Sequence, residues 1–253
     1  MEGTQADVKK PATNTEDAKV VHKRILLAIA VLCAPAMFGK VTYVTNGVLS
    51  NGDPFSAEAD FTMGSNFIQL TVTNLIVNPK DITQNIDGIS FALPETFASN
   101  VASVSSFTGT DRTAIKLNTA GGWTDSSDTT NNWALTNTGS IFNLTATNNL
   151  GTKFSIVGGP STSNNEYTQA NDTIKGINFH DDFLAVTATW TFNVPGVTAV
   201  DETALSNVNF SFGTTSSVQI LGWDPPNDTP EPFSLALVGS GLIFLALRYK
   251  LRH

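Results

Sequence analysis

Three places in this 253-residue chain gather side chains that could do chemistry. His180-Asp181-Asp182 joins an imidazole to two carboxylates, the groups that bind a divalent metal or polarise a hydroxyl. Neighbouring residues in a strand alternate in direction, so the three cannot converge on one point, and a polar turn entering a strand at Phe183 is the simpler reading. Asp125-Ser126-Ser127-Asp128-Thr129-Thr130-Asn131-Asn132 packs oxygen ligands closely enough to suit calcium, with Asp125 and Asp128 as the carboxylates. It lacks the regular alternation, central glycine and terminal glutamate of an EF-hand loop, and a solvated loop held by its own Asx turns is the simpler reading there too. Trp123 and Trp133 flank that loop. Two exposed indoles beside Asn and Asp would make a glycan-stacking platform, whereas indoles at a loop edge also serve as a lid over the end of a β domain.

Signals for catalysis are missing. No Gly-x-Ser-x-Gly, His-Glu-x-x-His or phosphate-cradling loop occurs. Between residues 37 and 230, His180 is the only histidine available as a base for a serine nucleophile, and the single cysteine, Cys33, lies upstream. Acids distant in sequence could meet as a glycosidase pair, but nothing in the sequence selects two of them. The expectation is a protein that is not an enzyme, with no cofactor and no metal.

The elements that must position these residues read as strands. In Leu184-Ala-Val-Thr-Ala-Thr-Trp-Thr-Phe192 the apolar positions 184, 186, 188, 190 and 192 share one face, and the same period of two recurs at Ile68, Leu70, Val72 and at Val208, Phe210, Phe212. Trp190 falls in that core. Thr, Ser and Asn on the opposite face fit antiparallel sheets wetted on one side. Asn46-Gly47, Asn51-Gly52, Gly121-Gly122 and Gly158-Gly159 punctuate the runs as turns or breaks. The expected fold is all-β, an antiparallel β-sandwich or a jelly-roll-like variant of it, over residues 37–223. With 41% hydrophobic and only 14% charged residues the chain can bury a core. Between residues 37 and 230 six basic residues face 17 acids, a balance of -11, which argues against a nucleic-acid partner.

Both ends point to a membrane. Lys23 and Arg24 precede the apolar run Ile25 to Cys33, and Ala34-Pro35-Ala36 follows with small residues one and three positions before a cut. These are the parts of an export signal, and they predict cleavage by signal peptidase after Ala36. An uncleaved anchor is the alternative. A lipoprotein cut at Cys33 is a further one, although Leu32 stands where a small residue is required.

At the other end, residues 224–232 form a Pro-rich, extended linker. Phe233 to Leu247 is then almost wholly apolar, through Leu235, Leu237, Val238, Gly239, Gly241, Leu242, Ile243, Phe244 and Leu245. As a helix these 15 residues reach about 22 Å, short of a bilayer core of about 30 Å unless Tyr249 and Leu251 are drawn in. Arg248, Lys250 and Arg252 favour a cytoplasmic C-terminus behind this transmembrane helix.

A plain anchor has no use for Pro230-Glu231-Pro232 followed by Ser234. That order, an apolar helix containing Gly239 and Gly241, and a terminal basic cluster together resemble the PEP-CTERM sorting signal of Gram-negative bacteria. The resemblance covers Pro230 to His253 only. It implies that Pro230, Glu231, Pro232 and Ser234 are read by an exosortase-type membrane transpeptidase while residues 233–247 hold the chain in the inner membrane. It further implies an exported product left at the outer envelope or outside the cell, in a producer of exopolysaccharide and biofilm. The function expected is therefore a non-catalytic surface or matrix protein. A carbohydrate-binding or adhesive module is the alternative, and a secreted hydrolase is third.

Overall fold

The structure, a computed structural model, describes residues 39–97, 108–126, 133–146, 154–175, 182–198, 203–214 and 218–225. The signal region, the Pro-Glu-Pro motif with Ser234, the apolar segment 233–247 and its basic cluster all lie outside these residues. Among the described residues no helix is long and apolar enough to cross a membrane.

Twelve strands account for most of what is described. In chain order they are β1 (Gly39–Val48), β2 (Pro54–Gly64), β3 (Phe67–Asn74), β4 (Ile86–Ala92), β5 (Thr108–Leu117) and β6 (Trp123–Asp125). Then come β7 (Trp133–Thr138), β8 (Ile141–Ala146), β9 (Ile156–Val157), β10 (Phe183–Asn193), β11 (Ser206–Phe212) and β12 (Val218–Leu221). Alternation explains why these segments are extended. Phe55, Ala57, Ala59, Phe61 and Met63 of β2 are all buried, as are Ile68, Leu70 and Val72 of β3 and Val208, Phe210 and Phe212 of β11.

The strands form one hydrogen-bonded sheet in the order β1-β2-β3-β10-β9-β4-β11-β12. β5 leaves this path from β10 and carries β6, and β8 leaves it from β4 and carries β7. The expectation of separate, purely antiparallel sheets is corrected here. Two-residue β9 pairs parallel with β10 and antiparallel with β4, which makes the sheet continuous and mixed. At the opposite margin Val44 and Trp223 form an antiparallel bridge, each donating its N–H to the other's carbonyl at 2.9 Å, so the ends of the path meet.

Ring contacts record the folding-over that this closure requires. Phe61 of β2 meets Phe91 of β4 edge-on at 5.2 Å, and Phe55 of β2 meets Phe212 of β11 at 5.1 Å, although neither pair of strands is hydrogen-bonded together. One large core holds these rings, and a smaller one gathers Ile82, Ile115, Leu117, Val157, Tyr167, Ala170, Ile174 and Phe183.

Two details depart from the pattern expected of the sequence. Val186 is not a core position: it sits at φ +61°, half-buried, inside a register break between Leu184 and Ala188. Such a bulge lets one strand serve two differently directed partners, and β10 pairs with β9 before it and β3 after it. Asn46-Gly47 is not a turn but lies inside β1, where a Cβ on Gly47 would stand 2.7 Å from the Phe55 ring of its cross-strand partner. Asn51-Gly52 does turn the chain, with Gly52 at φ +87°.

Gly158 is packed against backbone, since a Cβ there would lie 2.1 Å from the Ile76 carbonyl oxygen. Its own carbonyl accepts from the buried Tyr167 hydroxyl at 2.9 Å. Gly158→Ala is expected to destabilise the protein by about 2 kcal/mol through overpacking, read as a lowered urea midpoint with unchanged m-value.

Candidate functional site

The two indoles that flank the polar loop, read from sequence as either a platform or a lid, do not share an environment. Trp133 opens β7 and is only 3% exposed. Its indole N–H donates to the Phe154 carbonyl at 2.8 Å and its ring lies tilted against Trp190, centroids 4.7 Å apart. A sugar cannot reach that face, so Trp133 is a core residue in the manner of a lid. The physical reason lies in alternation, which directs the first residue of β7 inward with Leu144 and Trp190. Trp123 opens β6, stays half-buried against the smaller core, and donates to the Asn165 carbonyl at 3.1 Å.

Asp125 is exposed at the end of β6, whereas Asp128 lies outside the described residues. No group of three His, Cys, Asp or Glu residues able to hold a metal occurs among the described residues. His180 and Asp181 are outside them as well. Asp182 is described. It takes φ +66° just before β10, its side chain is 3% exposed, and Lys116 Nζ lies 3.5 Å from Oδ1, an ion pair longer than a good hydrogen bond. Its carbonyl accepts from the Phe154 N–H.

The densest polar constellation joins three turns and includes none of the candidate chemical residues read from the sequence, only Asn51 of the Asn51-Gly52 turn. Asp81 caps the short helical turn Ile82–Gln84, accepting from the Thr83 N–H at 2.8 Å. Gln84 returns the bond, its Oε1 accepting from the N–H groups of Lys80 and Asp81 at 2.6 and 3.1 Å. This reciprocal arrangement satisfies donors that a helix start leaves open. Asn171 donates to Asp81 at 2.9 Å, Lys80 Nζ pairs with Asp53 at 3.2 Å, and Asn51 donates to both Asp53 and Thr83. Asp81-Ile-Thr-Gln84 is the spacing that could have revealed the cap from sequence.

Burial works to raise the Asp81 carboxyl, but the Thr83 N–H, the Asn171 amide, the Thr83 hydroxyl and the Lys80 charge outweigh it and hold the group below its ordinary value. The Tyr167 hydroxyl, in contrast, is pushed up by burial alone. Tyr43 is also raised, first by burial and then by the neighbouring Asp224 charge, and its hydroxyl donates to the Leu205 carbonyl at 2.9 Å. These groups hold loops together.

A second feature escaped the sequence reading. Trp223 closes the sheet with its backbone while the residue stays 46% exposed; Leu221 of β12 is 63% exposed and Val48 of β1 68%. Its signal was the strand period running through Ile220 and Gly222, which turns Trp223 outward.

Two outcomes follow from these contacts. Trp133→Ala should lower stability by about 3–5 kcal/mol, measured by chemical unfolding, because it empties a core position. Since the Asp81 pKa is depressed on folding, its contribution is present above the unfolded value near 3.9 and is lost as pH falls through the folded value. Asp81→Asn should therefore narrow the stability difference between pH 7 and pH 3 in parallel unfolding curves. No family model matches this chain, and no match is found among curated proteins or solved structures.

Proposed function

We propose that this chain is an exported, non-catalytic protein of the bacterial surface or extracellular matrix, sorted by a PEP-CTERM tail that an exosortase-type enzyme processes. The observation that supports it most is the position of the β region relative to the two expected processing points. A cut after Ala36 leaves β1, which begins at Gly39, intact. The last residue in the ladder, Trp223, precedes Pro230 by seven positions, so cleavage near the motif also spares every described hydrogen bond. Both cuts would release the sheet whole.

In this reading the finished product is the β region alone, a flattened sandwich of two layers. Such a sandwich would fold the single sheet over at β9, where β10 and β4 are joined. The acidic balance of the region suits a protein that stays dissolved among extracellular polymers. The transmembrane helix at 233–247, with Arg248, Lys250 and Arg252 on the cytoplasmic side, is a transit device. Signal peptidase and the exosortase are its processing partners, and exopolysaccharide is the surrounding medium.

Glu231→Ala should leave export intact yet trap the protein in membranes. Fractionation with intact-mass analysis of the product checks this, and unchanged release with the same C-terminus would remove the sorting reading.

A further inference from the structure

Trp223 points outward from the bridge at which the two ends of the described strand path meet. Its neighbour Gly222 points inward, since a Cβ there would lie 2.9 Å from the Phe210 ring and 3.4 Å from Tyr43 Cβ. Antiparallel partners share a face, so the bridge puts Trp223 beside Val44, and the Thr45 hydroxyl, 3.5 Å from the Leu221 carbonyl it donates to, keeps Leu221 next to the stretch of β1 that carries Asn46. On its other side Leu221 faces Asn209 in the β11–β12 ladder. An exposed indole and an exposed leucine thus lie within a row of amides: Asn46 is exposed, and Asn209, whose Nδ2 donates to the Asn207 carbonyl at 2.9 Å, keeps its Oδ1 as an acceptor.

We propose that this seam, with Trp223 as its stacking platform and Asn46 and Asn209 as its hydrogen-bonding flanks, is a binding site for a neutral polysaccharide. A pyranose ring has an apolar C–H face and an equatorial rim of hydroxyls, which an indole face bordered by amides complements. Strand spacing of about 4.8 Å brings successive side chains of the row to the scale of one sugar unit. Charge selects the class of polymer. The acids here are Glu58, opposite Val44 in the β1–β2 ladder, and Asp224, next to Trp223, while the base on β1, Lys40, is paired with Asp60 at 3.1 Å. Anionic glycans and anionic lipid headgroups are repelled from such a surface. The site belongs to the β region and stands whether or not the tail is processed.

Preorganisation adds to the case. Trp223 is held by two backbone hydrogen bonds to Val44, and Gly222 donates to the Val208 carbonyl at 2.8 Å, so the platform sits on paired strand and little ordering is needed on binding. Those bonds are made by the backbone, so the Trp223 side chain is removable without breaking them.

The test is affinity electrophoresis of the full chain in detergent micelles, in gels containing a mixed-linkage glucan or a galactomannan. Retardation by at least one of the two is expected. It should weaken about tenfold in Trp223→Ala, weaken several-fold in Asn46→Ala, persist in Trp223→Tyr, and be unchanged in Trp123→Ala, with the Trp223 and Asn46 variants melting near the parent. No retardation of the parent by either polymer overturns the proposal, as does equal retardation of Trp223→Ala and the parent. Two further outcomes also overturn it by assigning the seam elsewhere: Trp223-dependent quenching of tryptophan emission by brominated phosphatidylcholine in vesicles, which means a lipid surface, or a dimer lost in Trp223→Ala, which means a second copy of the chain.

Discussion

Phe91 is where the fold is decided. Its ring meets Phe61 at 5.2 Å, Phe142 at 5.5 Å and Phe192 at 6.1 Å, drawing three other strands onto β4, every residue of which is buried. A flat sheet cannot shelter such a cluster from water, because each face of a flat sheet is wet unless something covers it. The chain must therefore cover itself, and everything unusual in its geometry serves that bend. The buried Asn74 amide donates to the carbonyls of Gln84 and Ile156, each at 2.9 Å, and accepts from the Ile76 N–H at 3.1 Å. One side chain thus satisfies backbone groups from three segments at the corner, where strand pairing has to lapse and the desolvation penalty of unmet polar groups would otherwise fall.

Much of this architecture could be read from the order of residues. Period-two spacing is a local property, and at Ile68, Leu70, Val72 and at Val208, Phe210, Phe212 it predicted the buried face correctly. Corners are a different matter, because they depend on partners far away in the chain. Val186 continues an unbroken alternation in sequence, yet its backbone leaves the β region since β10 must change partners there. Likewise Gly47 follows an asparagine in what resembles a turn dipeptide, and only its cross-strand neighbour Phe55 explains why a strand wants glycine at that place. The candidate site follows the same division. That Trp123 and Trp133 bracket a polar loop is visible in the sequence, but which indole faces water depends on Phe154 and Trp190, which approach Trp133 from other parts of the chain.

Polar chemistry in this protein is mostly spent on loops. Asp53, Lys80, Asp81, Asn171 and Thr173 tie together turns that are remote in sequence, with the Thr173 hydroxyl accepting from the Ile82 N–H at 3.0 Å. On the outer face, paired hydroxyls do similar work between strands: Thr71 with Thr189 at 3.0 Å and Thr73 with Thr187 at 3.1 Å. Such pairs help a region so rich in Thr, Ser and Asn stay ordered. Near the seam, by contrast, Trp223, Leu221 and Val48 meet solvent.

Closure at Val44 and Trp223 carries one more implication. The strand that leads into the sheet and the residue that leads out of it are hydrogen-bonded to each other, so entry and exit are adjacent doorways on one wall. A unit of that kind can be spliced into a host loop, or have its termini relocated by circular permutation, without disturbing its interior. It behaves as a bead with both strings emerging from the same hole.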